Sequence, residues 1–202
     1  MNRGRRKATR AQAFVEFALV APLFFLLLFG TIDFGGYFGS RLSVEEAARA
    51  GARVAEVQCN QTGCTYSGSA IVTAIVAQEG MVKVPTTVNC TWQGTTLAPD
   101  VYPPFTFSGS GCIGIWYFNL YSSTTGPPEL CGQWSVTTSA FVWYTSTGST
   151  TTTEPNNCVV PVDDIVVVGV GYHYTPLTPL PTIASNALTT YGETQLLEEG
   201  NL

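Results

Sequence analysis

Between Glu16 and Asp33 the chain runs FALVAPLFFLLLFGTI, sixteen residues without a charge, and no other feature restricts the possible folds so severely. As a helix rising about 1.5 Å per residue it spans roughly 24 Å, slightly short of a hydrocarbon core about 30 Å thick. Residues 13–15 before it and 34–38 after it are free of charge and largely apolar. They extend the surface past the roughly 20 residues that a span requires, so one transmembrane helix over 12–38 is expected. Five of the nine basic residues lie in the first ten positions: Arg3, Arg5, Arg6, Lys7 and Arg10. Positive charge beside a span resists translocation, which predicts a cytoplasmic N-terminus, an extracytoplasmic C-terminal bulk and location in the cell (inner) membrane. A removable secretory signal shares this order of basic and apolar regions but needs small residues at −3 and −1. Cutting after Gly36, Gly39 or Ser40 would put Phe34, Tyr37 or Phe38 at −3, which disfavours that alternative.

Charge also excludes partners. Only 11% of residues are charged, and after Lys83 there is no Lys or Arg while eight acids follow. A body so depleted of cations cannot displace counterions from a phosphate backbone, so nucleic acid is excluded as its partner. All six cysteines, Cys59, Cys64, Cys90, Cys112, Cys131 and Cys158, fall on the expected outer side. An even count in an oxidising compartment predicts up to three disulfides, with the pairing left open. No two cysteines have CxxC spacing and the single His173 lies outside any cysteine cluster, so no metal site is expected.

Beyond the apolar run, Val44, Ala47, Ala48, Gly51, Val54 and Ala55 recur at helical spacing as a stripe of small residues. Glu45–Arg49 and Arg53–Glu56 pairs lie on the opposite face. One helix over about 13–57 follows. Its outer half is amphipathic and needs an apolar partner surface. A short helix over 70–79 is expected after a cap at Ser69 and a stop at Gly80, burying Ile71, Val72, Ile75 and Val76. Strands are expected over 82–92, 134–145 and 162–175, with a further one over 187–197; Pro85 marks an edge or interruption in the first. Residues 99–132 mix turn formers and aromatics without period, which suggests a long insertion with two short strands at most.

The stretch 12–57 resembles the TadE-like family of the tight-adherence (Tad, or Flp) pilus system. The residues that carry the resemblance are AQAFVEFALVAPLFFLLLFG followed by EEAARAGARVAEV, against a family form of GQALVEFALVLP, an apolar run and an AAREGARYA-like helix. VVVGVGYHYTPLTPL looks, more loosely, like the family's strand ending in Tyr-x-Tyr before a Pro-containing turn. The resemblance implies a minor pilin (pseudopilin) whose basic leader, 1–11, is removed between Ala11 and Gln12 by a membrane prepilin peptidase. Ala11 stands where the family has Gly. Implied partners are that peptidase, other pilin and pseudopilin subunits, the inner-membrane assembly platform and membrane lipid, with a role in pilus assembly, priming, tip or adhesion. Glu16 at mature position five would set subunit register against a neighbour's N-terminus, and Pro22 would shape helix packing. From its position alone, Glu16 can equally rest in the headgroup layer, since a carboxylate near the end of a span costs less than the roughly 2.5–3.5 kcal/mol it costs at the centre.

Catalysis finds little support. His173 is the only possible triad base, and Asp163 and Asp164 are adjacent, so on a strand they point to opposite faces. No cofactor motif is present. The sequons at Asn60 and Asn89 matter only in a glycosylating host. The expectation is therefore an α+β protein: a long N-terminal helix, its inner half transmembrane, packed on an antiparallel sheet. The pilin-like head, 39–202, would carry disulfide-bearing loops and an irregular insertion around 93–132. A membrane-anchored extracytoplasmic binding or assembly-accessory protein that never enters a filament is the alternative.

Overall fold

The computed structural model describes residues 5–59, 67–80, 82–94, 96–97, 105–119, 129–144, 150–151, 164–177 and 189–197; of 5–11, 59, 119, 164 and 189–197 only the backbone is described. Among the described residues a long helix, α1 (Arg5–Cys59), is followed by α2 (Gly68–Ala77) and eight strands: β1 (Thr91–Trp92), β2 (Phe105–Thr106), β3 (Gly111–Asn119), β4 (Glu129–Ser135), β5 (Ala140–Tyr144), β6 (Thr150–Thr151), β7 (Asp164–His173) and β8 (Thr189–Leu197). Six of them form one antiparallel sheet in the order β6-β5-β4-β3-β7-β8, and β1 pairs with β2 in a separate ribbon. The outer half of α1 lies on β7, β8 and α2. This is the α+β arrangement of long helix on antiparallel sheet that the sequence leads one to expect.

The sheet separates two cores. Strand side chains alternate between faces, so Ile113, Ile115 and Tyr117 of β3 and Val166, Val168 and Val170 of β7 meet α1 and α2. Cys112, Trp116 and Phe118 of β3 and Ile165 and Val167 of β7 point the other way, where Trp92 and Phe105 of the ribbon cover them. Trp116 lies 5.0 Å from Trp92 and 5.3 Å from Phe105, centroid to centroid. Its indole occupies the space that a Cβ on Gly114 or Gly169 would fill.

Several expectations need correction. The region around 93–132 contains β3, a central strand paired along its whole length with β7 and over 116–119 with β4, rather than a mostly irregular insertion. The expected strand over 134–145 is a hairpin over its described part, 134–144: β4 and β5 are joined by a turn over 136–139, with Ser139 at φ 50°. Residues 82–92 do not form a strand of the main sheet. Val82 and Val84 join the core under the helices, whereas Cys90 and Trp92 join the opposite one, so the segment passes from one face to the other beside the start of β3, where Pro85 abuts Gly111. Only a bridge between Asn89 and Ile113 docks it in the sheet, and it does so in parallel. The helix α2 begins after Ser67, whose carbonyl accepts from the N–H groups of Ala70 and Ile71. Ser69 is not its cap, and Val76 is exposed.

A disulfide joins Cys90 to Cys112, both fully buried, fastening the irregular 82–92 segment to β3. Cys131 is also disulfide-bonded. Cys64 and Cys158, Asn60, Asp163 and residues 178–188 after β7 lie outside the described residues, as does the Cys59 side chain.

Candidate membrane and assembly helix

From residue 12 to 34 the side chains of α1 are exposed or at most half-buried, the large ones including Phe14, Phe17, Leu19, Leu23, Leu27 and Phe34. This is a helix long and apolar enough to cross a membrane, by length and composition. Polar groups inside the run are satisfied locally: the Thr31 hydroxyl donates to the Leu27 carbonyl at 2.8 Å, as lipid surroundings require. Pro22 lies within the helix. Gln12 donates its side-chain amide to the Glu16 carboxylate at 3.2 Å, one turn away. The Ala11–Gln12 bond is itself inside α1.

The other half of the same helix is packed. Val44, Ala47, Ala48 and Ala55 are each at most 1% exposed and Gly51 is buried; Ala52, which sequence spacing did not single out, is buried with them. Small side chains let the helix axis approach the sheet closely. A Cβ on Gly51 would stand 2.7 Å from Ile75 Cγ1 of α2 and 3.1 Å from Val168 Cγ1 of β7. On the free face Arg41 pairs with Glu45 at 3.2 Å, and Arg49 reaches the same carboxylate at 3.9 Å.

Where the bare half gives way to the packed half, the chain after β7 folds back onto the helix. The Leu177 N–H donates to Asp33 Oδ1 at 3.0 Å. Tyr174 meets Tyr37 edge to face at 5.9 Å between centroids, and its hydroxyl closes over Gly36. Burial pushes the Tyr174 phenol above its ordinary range, and the nearby Asp33 carboxylate and Tyr172 push it further. Ser40, the first buried residue among the described side chains of α1, donates its hydroxyl to the Gly36 carbonyl at 2.9 Å. In the sequence Asp33 marks only the end of the apolar run. The available signal was parity: Tyr172 and Tyr174 continue the even-numbered, helix-facing positions of β7.

The remaining candidates are drawn into structure. His173 ends β7 against Phe107 at 4.6 Å between ring centroids, and its backbone N–H donates to Ser110. Asn89 accepts from the Val136 N–H at 2.9 Å and donates to the Thr137 hydroxyl, bracing the β4–β5 turn.

One helix that is bare along its first half and packed on an antiparallel sheet along its second defines the class: an α+β head carried on an apolar stem. Within that class, residues 11–53 match the sequence model of the TadE-like protein family, so the chain bears a TadE-like segment. No curated protein and no solved structure matches the chain.

Proposed function

We propose that this protein is a minor pilin of a Tad-type pilus, held in the cell membrane by residues 12–38 with its head outside and contributing to pilus assembly, priming or tip. One observation carries the reading: within the TadE-like segment a single helix presents an unpartnered apolar half and anchors a folded head through the other. Such a stem can exchange lipid for neighbouring subunits without refolding the head. In this reading a prepilin peptidase cuts between Ala11 and Gln12, and Glu16 sets register among pilin and pseudopilin subunits at the assembly platform. No catalytic step is assigned to the chain.

The test uses host cells making the full chain. Intact mass of membrane-extracted protein should show loss of the first eleven residues, and the processed chain should be found in sheared filaments. Glu16→Ala should remain in the membrane but fall several-fold in the sheared fraction. Protein that keeps its leader and never leaves the membrane fraction would identify an anchored accessory protein instead and overturn the proposal.

A further inference from the structure

The head is tied to the stem at one height, and that height can be compared with the thickness of a bilayer. Hydrogen bonding of Leu177 to Asp33, the edge-to-face contact of Tyr174 with Tyr37, and the Tyr174 hydroxyl over Gly36 place residues 174–177 level with residues 33–37 of α1. The uncharged run of sixteen residues covers about 24 Å of a hydrocarbon layer about 30 Å thick, a shortfall of about 6 Å or four residues. Tilting the helix only enlarges it.

One end must therefore sink, and the two ends differ. Glu16 is exposed, with the Gln12 amide against its carboxylate. Asp33 is half-buried and accepts a backbone N–H from the head. A carboxylate in the apolar layer is costly unless it is hydrogen-bonded and screened; both accept a bond, but Glu16 takes it from an exposed side chain and Asp33, half-buried, from the backbone of the head, so the outer end is the better equipped to enter. If residues 33–37 enter, residues 174–177 enter with them. Their chemistry suits the position: Leu177 is 76% exposed, its N–H is taken by Asp33, and Pro176 has no N–H to leave unpaired. Tyr37, partly exposed beside the buried Tyr174, supplies the ring type enriched where hydrocarbon meets headgroups.

We propose that residues 174–177 form a second membrane contact, a lipid-facing foot of the head in which Leu177 inserts at the outer hydrocarbon boundary. The occupant is lipid of any headgroup charge, because no Lys or Arg follows Lys83 and the contact is apolar. The foot fixes the depth of the stem and holds the head at one height above the bilayer. It rests on the reading that α1 spans the membrane, and the test separates the two.

Full-length protein is reconstituted in phosphatidylcholine vesicles as wild type, Leu177→Trp and Phe25→Trp, and the emission of the added indole is taken by difference. Leu177 and Phe25 are exposed, and unchanged near-UV circular dichroism checks the head in each variant. The added indole of Leu177→Trp should lose most of its emission to lipid brominated near the headgroup and less to lipid brominated near the chain ends. That of Phe25→Trp should show the reverse order, and phosphatidylglycerol should change neither. Quenching of Phe25→Trp but not Leu177→Trp, the latter remaining open to aqueous iodide, overturns the foot and keeps the span. Failure of bromolipid to quench either variant overturns both. Shielding of Leu177→Trp from both quenchers that disappears on dilution into excess lipid means that a second copy covers the site, and overturns the assignment to lipid.

Discussion

Replacing Gly51 separates the packing role of the small-residue stripe from any preference for particular helix formers. On an open helix, glycine costs about 1 kcal/mol relative to alanine, so propensity alone predicts that any side chain at 51 stabilises. The structure predicts the opposite sign. A Cβ there would approach Ile75 Cγ1 to 2.7 Å and Val168 Cγ1 to 3.1 Å, well inside the roughly 3.5–4.0 Å of carbon–carbon contact. Both neighbours are fully buried, in α2 and β7, and cannot swing away, so α1 must lift from the sheet. Overpacking of this kind costs about 1–3 kcal/mol, and Leu, with three further carbons, belongs at the upper end. After the propensity gain, Gly51→Leu should destabilise by about 2 kcal/mol, which lowers the melting temperature by about 4–8 °C in a chain of this length. Gly51→Ala should fall between that and neutrality. The same leucine at Glu46, on the exposed face, should change little. Thermal melts of the full chain in detergent, followed by the near-ultraviolet signal of its four tryptophans, measure all three. Coincident melts for Gly51→Leu and Glu46→Leu would refute close packing of the helix on the sheet.

The Cys90–Cys112 bond closes a loop of 22 residues, and in the chain-entropy picture such a loop is worth about 3 kcal/mol. The double Cys90→Ala, Cys112→Ala variant should therefore melt about 6–12 °C lower; because both sulfurs are fully buried, thiol labelling after mild reduction should find them only once denaturant is added. Glu79 has its carboxyl raised above the ordinary 4.5 by burial, against the lowering effects of the Val84 N–H and Lys83. The folded state then holds the proton more tightly than the unfolded one, so this contribution favours folding most at acid pH and is lost as pH rises through the raised value. Glu79→Gln should melt higher than wild type at pH 7, with the difference shrinking toward pH 4; a lower melt at pH 7 would reject the burial penalty.

Legibility followed how many faces of an element are buried. The helix α1 was plain because half of it is apolar all round and half has a stripe with a charged opposite face; β7 was plain from its unbroken Val-rich run. The central strand β3 was missed for a physical reason. Both of its faces are covered, so GCIGIWYFN carries no alternation, and its glycines read as turn residues although they make room for Trp116, Pro85 and the neighbouring backbone. Residues 82–92 failed in the opposite sense. Their alternation is real burial, but of one segment in two different cores, and beyond the stretch 116–119 that β4 takes, the edge of β3 receives the segment only at the Asn89–Ile113 bridge. In the candidate site, the packing positions on α1 followed from helical period, whereas the pairing of Asp33 with Leu177, 144 residues apart, has no local signal.

Trp116 ties three positions into one evolutionary unit. Its ring rests where Gly114 on its own strand and Gly169 on β7 lack side chains, and a Cβ at 169 would come within 2.8 Å of the indole and 2.7 Å of Phe105. Drift at any one of the three is blocked while the other two stand: a methyl at 114 or 169 has no space, and a smaller ring at 116 leaves a void over bare backbone. Divergent descendants of this head should therefore change these positions together, exchanging glycine–tryptophan–glycine for a small side chain on each strand around a reduced centre. Double variants that follow that exchange should be tolerated where the singles are not.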